Sequence, residues 1–246
     1  MSQPGFAADA TAVAHLFADS IDDEIVVDGG DGHHLARVRR VRVGERVTVA
    51  DRHGAWREYV VGAVRDGALS IEAVGPARVE PLLVPRLCVA FALTKGAKPE
   101  VVVRQLTELG VDELMPVIGE RSVVRRDQTG EAVLVERLER VAREAAMQSR
   151  RARVPELSRP SALLDLAGRR GLVLADRGGA RTAPPASPDG WTLVVGPEGG
   201  LSPAELEALV GVPRLGVGSH VLRAETASVA VAALLQAGRG APSTPV

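Results

Sequence analysis

Two glycine-bearing loops near the carboxyl end of the sequence contain its strongest candidates for a ligand-binding site. The first spans residues 196–200, reads GPEGG, and lies between an apolar run and a helical pattern. The second spans residues 215–227, reads LGVGSHVLRAETA, and also leads into a helical pattern. Glycine lets backbone amides approach a ligand closely. Two such loops close in sequence can therefore build one pocket for a small polar cofactor.

The charged residues of these loops narrow the kind of ligand. Glu198 places a carboxylate in the first loop, where it would repel a phosphate and tolerate a cation. Arg223, Glu225 and Thr226 stand at the start of the last helix. Two simpler interpretations remain open: the first loop is an ordinary turn, and the charged residues of the second only cap the helix or pair with neighbours. The sequence lacks the glycine fingerprint of a dinucleotide site and a phosphate-binding loop, which disfavours a nicotinamide-dependent enzyme.

The secondary-structure elements predicted around these loops form two groups. Short apolar runs between about residues 26 and 74, including 38–43, predict strands of a small barrel or sandwich. A proline-bearing stretch then predicts a boundary between residues 1–76 and 77–246. Beyond it, strands over 87–93, 111–117, 171–175, 191–195 and 214–217 alternate with helices from Pro99, over 131–148, after an N-cap at Ser202, and over 225–236. This alternation predicts an α/β domain with a mostly parallel sheet.

Composition excludes several classes of protein. The chain has 246 residues, 46% of them apolar, a net charge of −1 and a single cysteine. Cys88 lies in an apolar run and is interpreted as a buried small hydrophobe, so neither a disulfide nor a cysteine-based metal site is expected. We see no signal peptide and no run long enough to span a membrane, and we expect a cytoplasmic protein.

Four ordered segments resemble those of the RsmE methyltransferases of the SPOUT superfamily. They cover about residues 30–237. In chain order they are HHLARVR at 33–39, LTKGAKPEVVVRQLTELGVDELMPVIGERSVV at 93–124, the helix end EAAMQS at 144–149 with RARVP at 151–155, and GPEGGLSPAE at 196–205 with LGVGSHVLRAETA at 215–227. The sequence departs from the family pattern at HLF (15–17), where an arginine and an aromatic residue are common, and at Met147 and Ala224.

The resemblance implies a fold and an activity. It implies a PUA-like RNA-binding β-barrel in residues 1–76, followed by a SPOUT methyltransferase domain with a C-terminal trefoil knot. It also implies a homodimer that uses S-adenosylmethionine to methylate uridine N3 in 16S ribosomal RNA of the small subunit. The alternatives are a SPOUT methyltransferase with another RNA target and a non-catalytic RNA-binding protein of ribosome assembly.

The resemblance and the residue types together give candidate site residues. For catalysis we expect Arg223 to stabilise the uridine anion or anchor a phosphate, and Glu198 or Glu225 to accept the N3 proton. The expected cofactor-binding residues are Leu174, Gly196, Pro197, Glu198, Gly199, Gly200, Leu215, Gly216, Val221, Leu222, Arg223, Thr226 and Ala227. Because arginine suits phosphate contacts, the expected RNA-binding residues are His34, Arg37, Arg39, Arg121, Arg125, Arg126, Arg150 and Arg151.

Overall fold

The chain divides into two compact units. A computed structural model describes residues 12–93, 99–122 and 128–240. The first unit comprises Met1–Pro81 with Ala146–Val154, and the second comprises Leu82–Ala145 with Pro155–Val246. The domain boundary at residue 76 stays a prediction.

The first unit is built on a six-stranded sheet. The strands are β1 (Ala14–Phe17), β2 (Glu24–Val27), β3 (Arg46–Ala50), β4 (Ala55–Arg65), β5 (Ala68–Ala73) and β6 (Arg78–Val79). Their order is β1-β3-β4-β5-β2, with β6 paired to β4. β1 runs parallel to β3, and the remaining pairs are antiparallel. Alternate residues of these strands, among them Val47, Tyr59 and Ile71, are fully buried and form its core.

The expected strand over residues 38–43 is wrong. A short helix α1 (Gly29–His33) continues into a π-helical turn (His34–Arg39), which ends at Arg40 in the left-handed conformation. A Cβ at Gly32 would approach the carbonyl oxygens of Val27 and Gly67 to 2.5 and 2.8 Å, so glycine permits this close packing. Only Leu35 and Val41 of the apolar residues here are buried, while Val38 is 65% exposed. Packing of the preceding helix therefore overrides the strand-like alternation of valine and arginine.

The second unit contains a seven-stranded parallel sheet with helices. The strands are β7 (Leu87–Ala92), β8 (Glu113–Ile118), β9 (Glu156–Leu157), β10 (Ser161–Ala162), β11 (Leu172–Ala180), β12 (Trp191–Val195) and β13 (Arg214–Leu215). The helices are α2 (Pro99–Glu108), α3 (Gln128–Gln148), α4 (Pro203–Ala208) and α5 (Ala224–Gln236). All strand pairs described here are parallel, which confirms the predicted α/β class.

Strand order explains why the two glycine loops can meet. The order is β10-β8-β7-β12-β11-β13, with β9 paired to β8, so β12 lies centrally and β13 lies beyond β11. Every residue of β7 and β12 is buried, as expected for strands covered on both faces. The loop after β12 and the loop after β13 therefore leave the same edge of the sheet on either side of β11. The trefoil knot stays a prediction. Within the described ranges, no helix has the length and apolar character needed to cross a bilayer.

Candidate cofactor site

A cavity of about 470 Å³ opens at the carboxyl edge of the parallel sheet. Ligand sites of open α/β sheets lie at this edge, and the volume is within their usual range. Three segments supply most of its wall: residues 174–177 at the end of the paired part of β11, residues 195–198 and 200–201 at the end of β12 and after it, and residues 216–218 and 220–223 before α5. Leu206, Ala227 and Val231 add apolar surface from α4 and α5. The two loops singled out from the sequence thus face one space.

The first loop is held by a capping box. Ser202 is the N-cap of α4, its hydroxyl accepts a hydrogen bond from the Glu205 amide at 3.1 Å, and the Ser202 amide donates to Glu205 Oε2 at 2.7 Å. This confirms the predicted N-cap. Glu205 is only 1% exposed, and its Oε1 also accepts from the Glu120 amide at 2.8 Å. One buried carboxylate therefore ties the loop after β8 to the segment that follows the first glycine loop.

Arg121 adds a second tie to the first loop. Its Nη1 donates to the carbonyl of Gly199 at 3.2 Å. The same loop closes through a hydrogen bond of 2.9 Å from the Gly200 amide to the Pro197 carbonyl, with Gly200 at a positive φ of 73°. The structure therefore places Arg121, which was predicted to bind RNA, at the rim of the candidate cofactor loop. The sequence spacing of 78 residues between Arg121 and Gly199 gives no signal of this contact.

The second loop passes close to the backbone of β11. A Cβ at Gly216 would overlap the carbonyl oxygen of Asp176, so a larger residue there would displace one wall of the cavity. The Gly216 amide donates to the Ala180 carbonyl at 2.9 Å, and Arg181 Nη2 donates to the Gly218 carbonyl at 3.0 Å. These bonds fix the second loop against the end of β11. Glycine at position 216 is therefore a packing requirement.

Most of the expected cofactor residues lie on the cavity wall. The residues that line it are Leu174, Gly196, Pro197, Glu198, Gly200, Gly216, Val221, Leu222, Arg223 and Ala227. Three others do not line it: Gly199 faces Arg121, Leu215 is fully buried in β13, and Thr226 is exposed on α5. Asp176 and Arg177, which follow the predicted third strand, also line the cavity and were not predicted. Their position just beyond a parallel strand was the signal that could have found them.

The three catalytic candidates separate into two places. Glu198 and Arg223 line the same cavity, together with Asp176 and His220. Glu225 instead lines a smaller neighbouring pocket with Phe91 and Ser228. Glu225 Oε2 is buried without a hydrogen-bond partner among the described residues.

The simpler capping interpretation of the second loop is wrong. Arg223 is the N-cap residue of α5, which places Glu225 and Thr226 inside the first helical turn. No side-chain hydrogen bond caps this helix. Arg223 is exposed and lines the cavity. Its guanidinium is therefore available to a ligand or to RNA.

The expected RNA-binding residues fall in both units. In the first unit, His34, Arg37 and Arg39 lie exposed on the π-helical turn. Arg150 Nη2 donates to the Ala12 carbonyl at 2.7 Å, which gives this arginine a structural contact, and the carbonyl of Arg151 accepts a bond from His15. In the second unit, only Arg121 can be placed. Arg125 and Arg126 lie outside the described residues.

His15 marks the departure from the family pattern near the start, and it is buried. Its side chain hydrogen-bonds to the Thr48 hydroxyl at 2.7 Å through Nδ1 and to the Arg151 carbonyl at 2.9 Å through Nε2. Burial lowers its pKa from 6.5 to about 4, with a smaller contribution from the positive charge of Arg150. The imidazole is therefore neutral at pH 7. It holds the segment after α3 against β1 and β3 and has a structural role.

Two family models match the chain in the same order as the two units. A model described as an RNA methyltransferase PUA domain matches residues 27–73, and one described as an RNA methyltransferase domain matches residues 81–236. Among known proteins, the ribosomal RNA small subunit methyltransferase E of Mycobacterium bovis is 35% identical over 233 residues, or 88% of each chain. The enzyme of the same name from Bacillus subtilis is 29% identical over 82% of this chain and 85% of its own.

Solved structures agree with an assignment to the RNA methyltransferases. A probable rRNA-methyltransferase from Porphyromonas gingivalis is 26% identical, with a TM-score of 0.74 over 92% of this chain and 99% of its own. The ribosomal RNA small subunit methyltransferase E from Neisseria gonorrhoeae, solved with S-adenosyl methionine, shares the fold with a TM-score of 0.77 at 21% identity over 91% of this chain and 97% of its own. The chain belongs to the ribosomal RNA small subunit methyltransferase E family. The predicted family and the PUA-like N-terminal domain are confirmed.

Proposed function

We propose that this protein methylates N3 of a uridine in 16S ribosomal RNA, with S-adenosylmethionine as methyl donor. The observation that carries this proposal is the single cavity formed by both glycine loops at the carboxyl edge of the sheet. Family membership supports the substrate class, since the relatives are named as methyltransferases of small-subunit ribosomal RNA. The N. gonorrhoeae relative was solved with S-adenosyl methionine.

The residues present fit this cofactor. The cavity is large enough for a nucleoside with an amino-acid chain, and it has an apolar wall at Leu174 and Leu222 beside the backbone of Gly196 and Gly216. Glu198 would be unfavourable beside a phosphate but suits a positively charged sulfonium. When bound, S-adenosylmethionine supplies a methyl group made electrophilic by that sulfonium. Leu174, Gly196, Gly216 and Leu222 would hold it.

Glu198 and Arg223 are the residues we assign to the chemistry of uridine. N3 of uridine carries a weakly acidic proton, which must leave before or during attack on the methyl group. Glu198 would accept that proton, and the guanidinium of Arg223 would stabilise the negative charge that develops on the base. We prefer Glu198 over Glu225 as the base because Glu198 shares its cavity with Arg223, whereas Glu225 faces the smaller pocket.

RNA would be bound by exposed arginines of the first unit, with His34, Arg37 and Arg39 on one turn. Arg121, which is bonded to the first glycine loop, would add a contact. Because such contacts neutralise phosphates, RNA binding should weaken steeply with salt. We also propose a homodimer that acts in the cytoplasm.

A methylation assay tests the proposal directly. The purified protein is incubated with labelled S-adenosylmethionine and small ribosomal subunits that lack the modification, and the product nucleoside is identified. We expect N3-methyluridine. Label in another nucleoside would contradict the target, and binding of cofactor without transfer to any RNA would contradict the activity.

Arg223→Ala tests the assigned role of that residue. Turnover should fall by about tenfold or more, because one charge-stabilising interaction is lost, while affinity for the cofactor measured by calorimetry stays nearly unchanged. Arg140→Ala is the matched control, since Arg140 is 64% exposed on α3 and its partner Glu136 lies 3.8 Å away. Unchanged turnover in Arg223→Ala would remove this arginine from the mechanism.

A further inference from the structure

Asp176 lies on the cavity wall, just after the residues of β11 that pair with β12 and β13. Leu174 pairs with Val194 of β12 on one side and with Arg214 of β13 on the other, and Ala175 pairs with Leu215. Asp176 is the next residue, at the carboxyl end of this paired stretch, and it lines the cavity. Its side chain is 29% exposed. Asp176 therefore borders the ligand space beside both glycine loops.

The carboxylate of Asp176 is held in one orientation. Its Oδ1 accepts from the Gly178 amide at 2.7 Å, and its Oδ2 accepts from Arg214 Nη1 at 2.7 Å. Arg214 is 54% exposed and is not among the residues that line the cavity. Each carboxylate oxygen can accept two hydrogen bonds. One acceptor position on each oxygen therefore remains after these two contacts.

We propose that Asp176 accepts hydrogen bonds from the two vicinal ribose hydroxyls of the nucleoside ligand. This inference rests on the proposed function. An ionised carboxylate only accepts hydrogen bonds, and a vicinal diol presents two adjacent donors. Dinucleotide-binding folds offer a parallel. There, an acidic residue near a glycine loop at the carboxyl edge of a parallel sheet binds a ribose hydroxyl.

Calorimetric titration with two probes tests this assignment. S-adenosylhomocysteine carries adenosine and the amino-acid chain, whereas 5′-methylthioadenosine keeps the ribose diol and lacks the amino-acid chain. Asp176→Ala should weaken both probes by about tenfold or more, since a hydrogen bond to a charged group contributes at least that much. Asp176→Asn should weaken both to a smaller extent, because the amide keeps one acceptor oxygen.

Arg214→Ala is the matched control. It removes the partner of Asp176 but leaves the carboxylate, so affinity for both probes should change by less than about threefold. The melting temperature of each variant is measured beside its affinity to establish that it is folded.

Three outcomes would overturn the assignment. Equal losses in Asp176→Ala and Arg214→Ala would show that Asp176 only anchors its neighbour. A loss confined to S-adenosylhomocysteine would place the contact at the amino-acid chain. Unchanged affinity for both probes in the two Asp176 variants would exclude any contact with ligand. If the unmodified protein bound neither probe, the proposed cofactor itself would be wrong. This result distinguishes a failure of the proposed function from a failure of the Asp176 assignment alone.

Discussion

Replacing His15 with glutamine should make the first unit less sensitive to mild acid. His15 is 5% exposed and hydrogen-bonded at both ring nitrogens, and burial lowers its pKa to about 4. Its Nε2 donates to the Arg151 carbonyl, so Nδ1 is the acceptor for the Thr48 hydroxyl. Protonation would turn this acceptor into a donor and place a charge beside Arg150. Glutamine can make both kinds of hydrogen bond without titrating.

The size of the effect follows from the two pKa values. In the unfolded chain a histidine takes up a proton near pH 6.5, whereas His15 in the folded protein does so near 4. Between these values the unfolded state binds more protons, so stability present above pH 6.5 is lost as the pH falls towards 4. At about 1.4 kcal/mol for each pH unit, the loss is about 3 kcal/mol. Burial raises the pKa of Glu80, so this carboxyl makes the folded state more stable as the pH falls. The contribution of Glu80 is the same in the parent and in His15→Gln, and it therefore cancels when the two proteins are compared.

Urea unfolding between pH 4 and 7 measures this loss. The chain has two tryptophans, so replacing Trp191 with phenylalanine leaves Trp56 as a fluorescent reporter within the first unit. Between pH 6.5 and 4, the free energy of unfolding should fall by about 3 kcal/mol more in this parent than in its His15→Gln derivative. The exposed His34 supplies the control, since His34→Gln should keep the full pH dependence. The same pH dependence in the parent and in His15→Gln would show that His15 does not cause the loss of stability.

Three further changes test how the second unit is held together. Glu205→Ala leaves two loop amides without their acceptor, so the free energy of unfolding should fall by about 1–3 kcal/mol for each amide. Cofactor affinity should fall as well. Unchanged affinity would show that the hydrogen bonds of Glu205 do not shape the site. Gly216→Ala should weaken cofactor binding by about tenfold or more because its Cβ overlaps Asp176, whereas Gly218→Ala, where a Cβ meets no atom within 4 Å, should bind normally. Arg239→Ala removes a fully buried guanidinium that bonds three carbonyls and Asp112. Urea unfolding should therefore show that the free energy of unfolding falls by about 3–5 kcal/mol. A smaller fall than in a variant of an exposed arginine would contradict this prediction.

Much of the second unit could be predicted because its local signals agree with its packing. The apolar run over 87–93 forms a strand, β7, that is buried on both faces, and Ser202 caps α4 as its spacing with Glu205 indicates. The final alanine-rich helix also begins within one residue of the expected position. In each case the same residues determine both the local conformation and the buried face, so no distant contact had to be known.

Distant contacts explain what could not be predicted. The segment 38–43 alternates like a strand, but its conformation depends on Gly32 packing against the end of β2 and the turn before β5. Asp176 follows a predicted strand, but an aspartate after an apolar run is equally typical of a turn. Its place on the cavity wall depends on strands β12 and β13, which are adjacent to β11 only in the folded sheet.

Arg121 shows how a residue predicted to bind RNA can also hold the candidate cofactor loop. Its guanidinium has five N–H donors, and the bond to the Gly199 carbonyl uses one of them. The side chain is exposed, so its other donors can still reach a phosphate. An RNA phosphate bound to Arg121 would change the position of the guanidinium, and with it the hydrogen bond to the first loop. Affinity for cofactor should therefore depend on bound RNA in the native protein and lose that dependence in Arg121→Ala, and calorimetry with and without an RNA fragment would measure both.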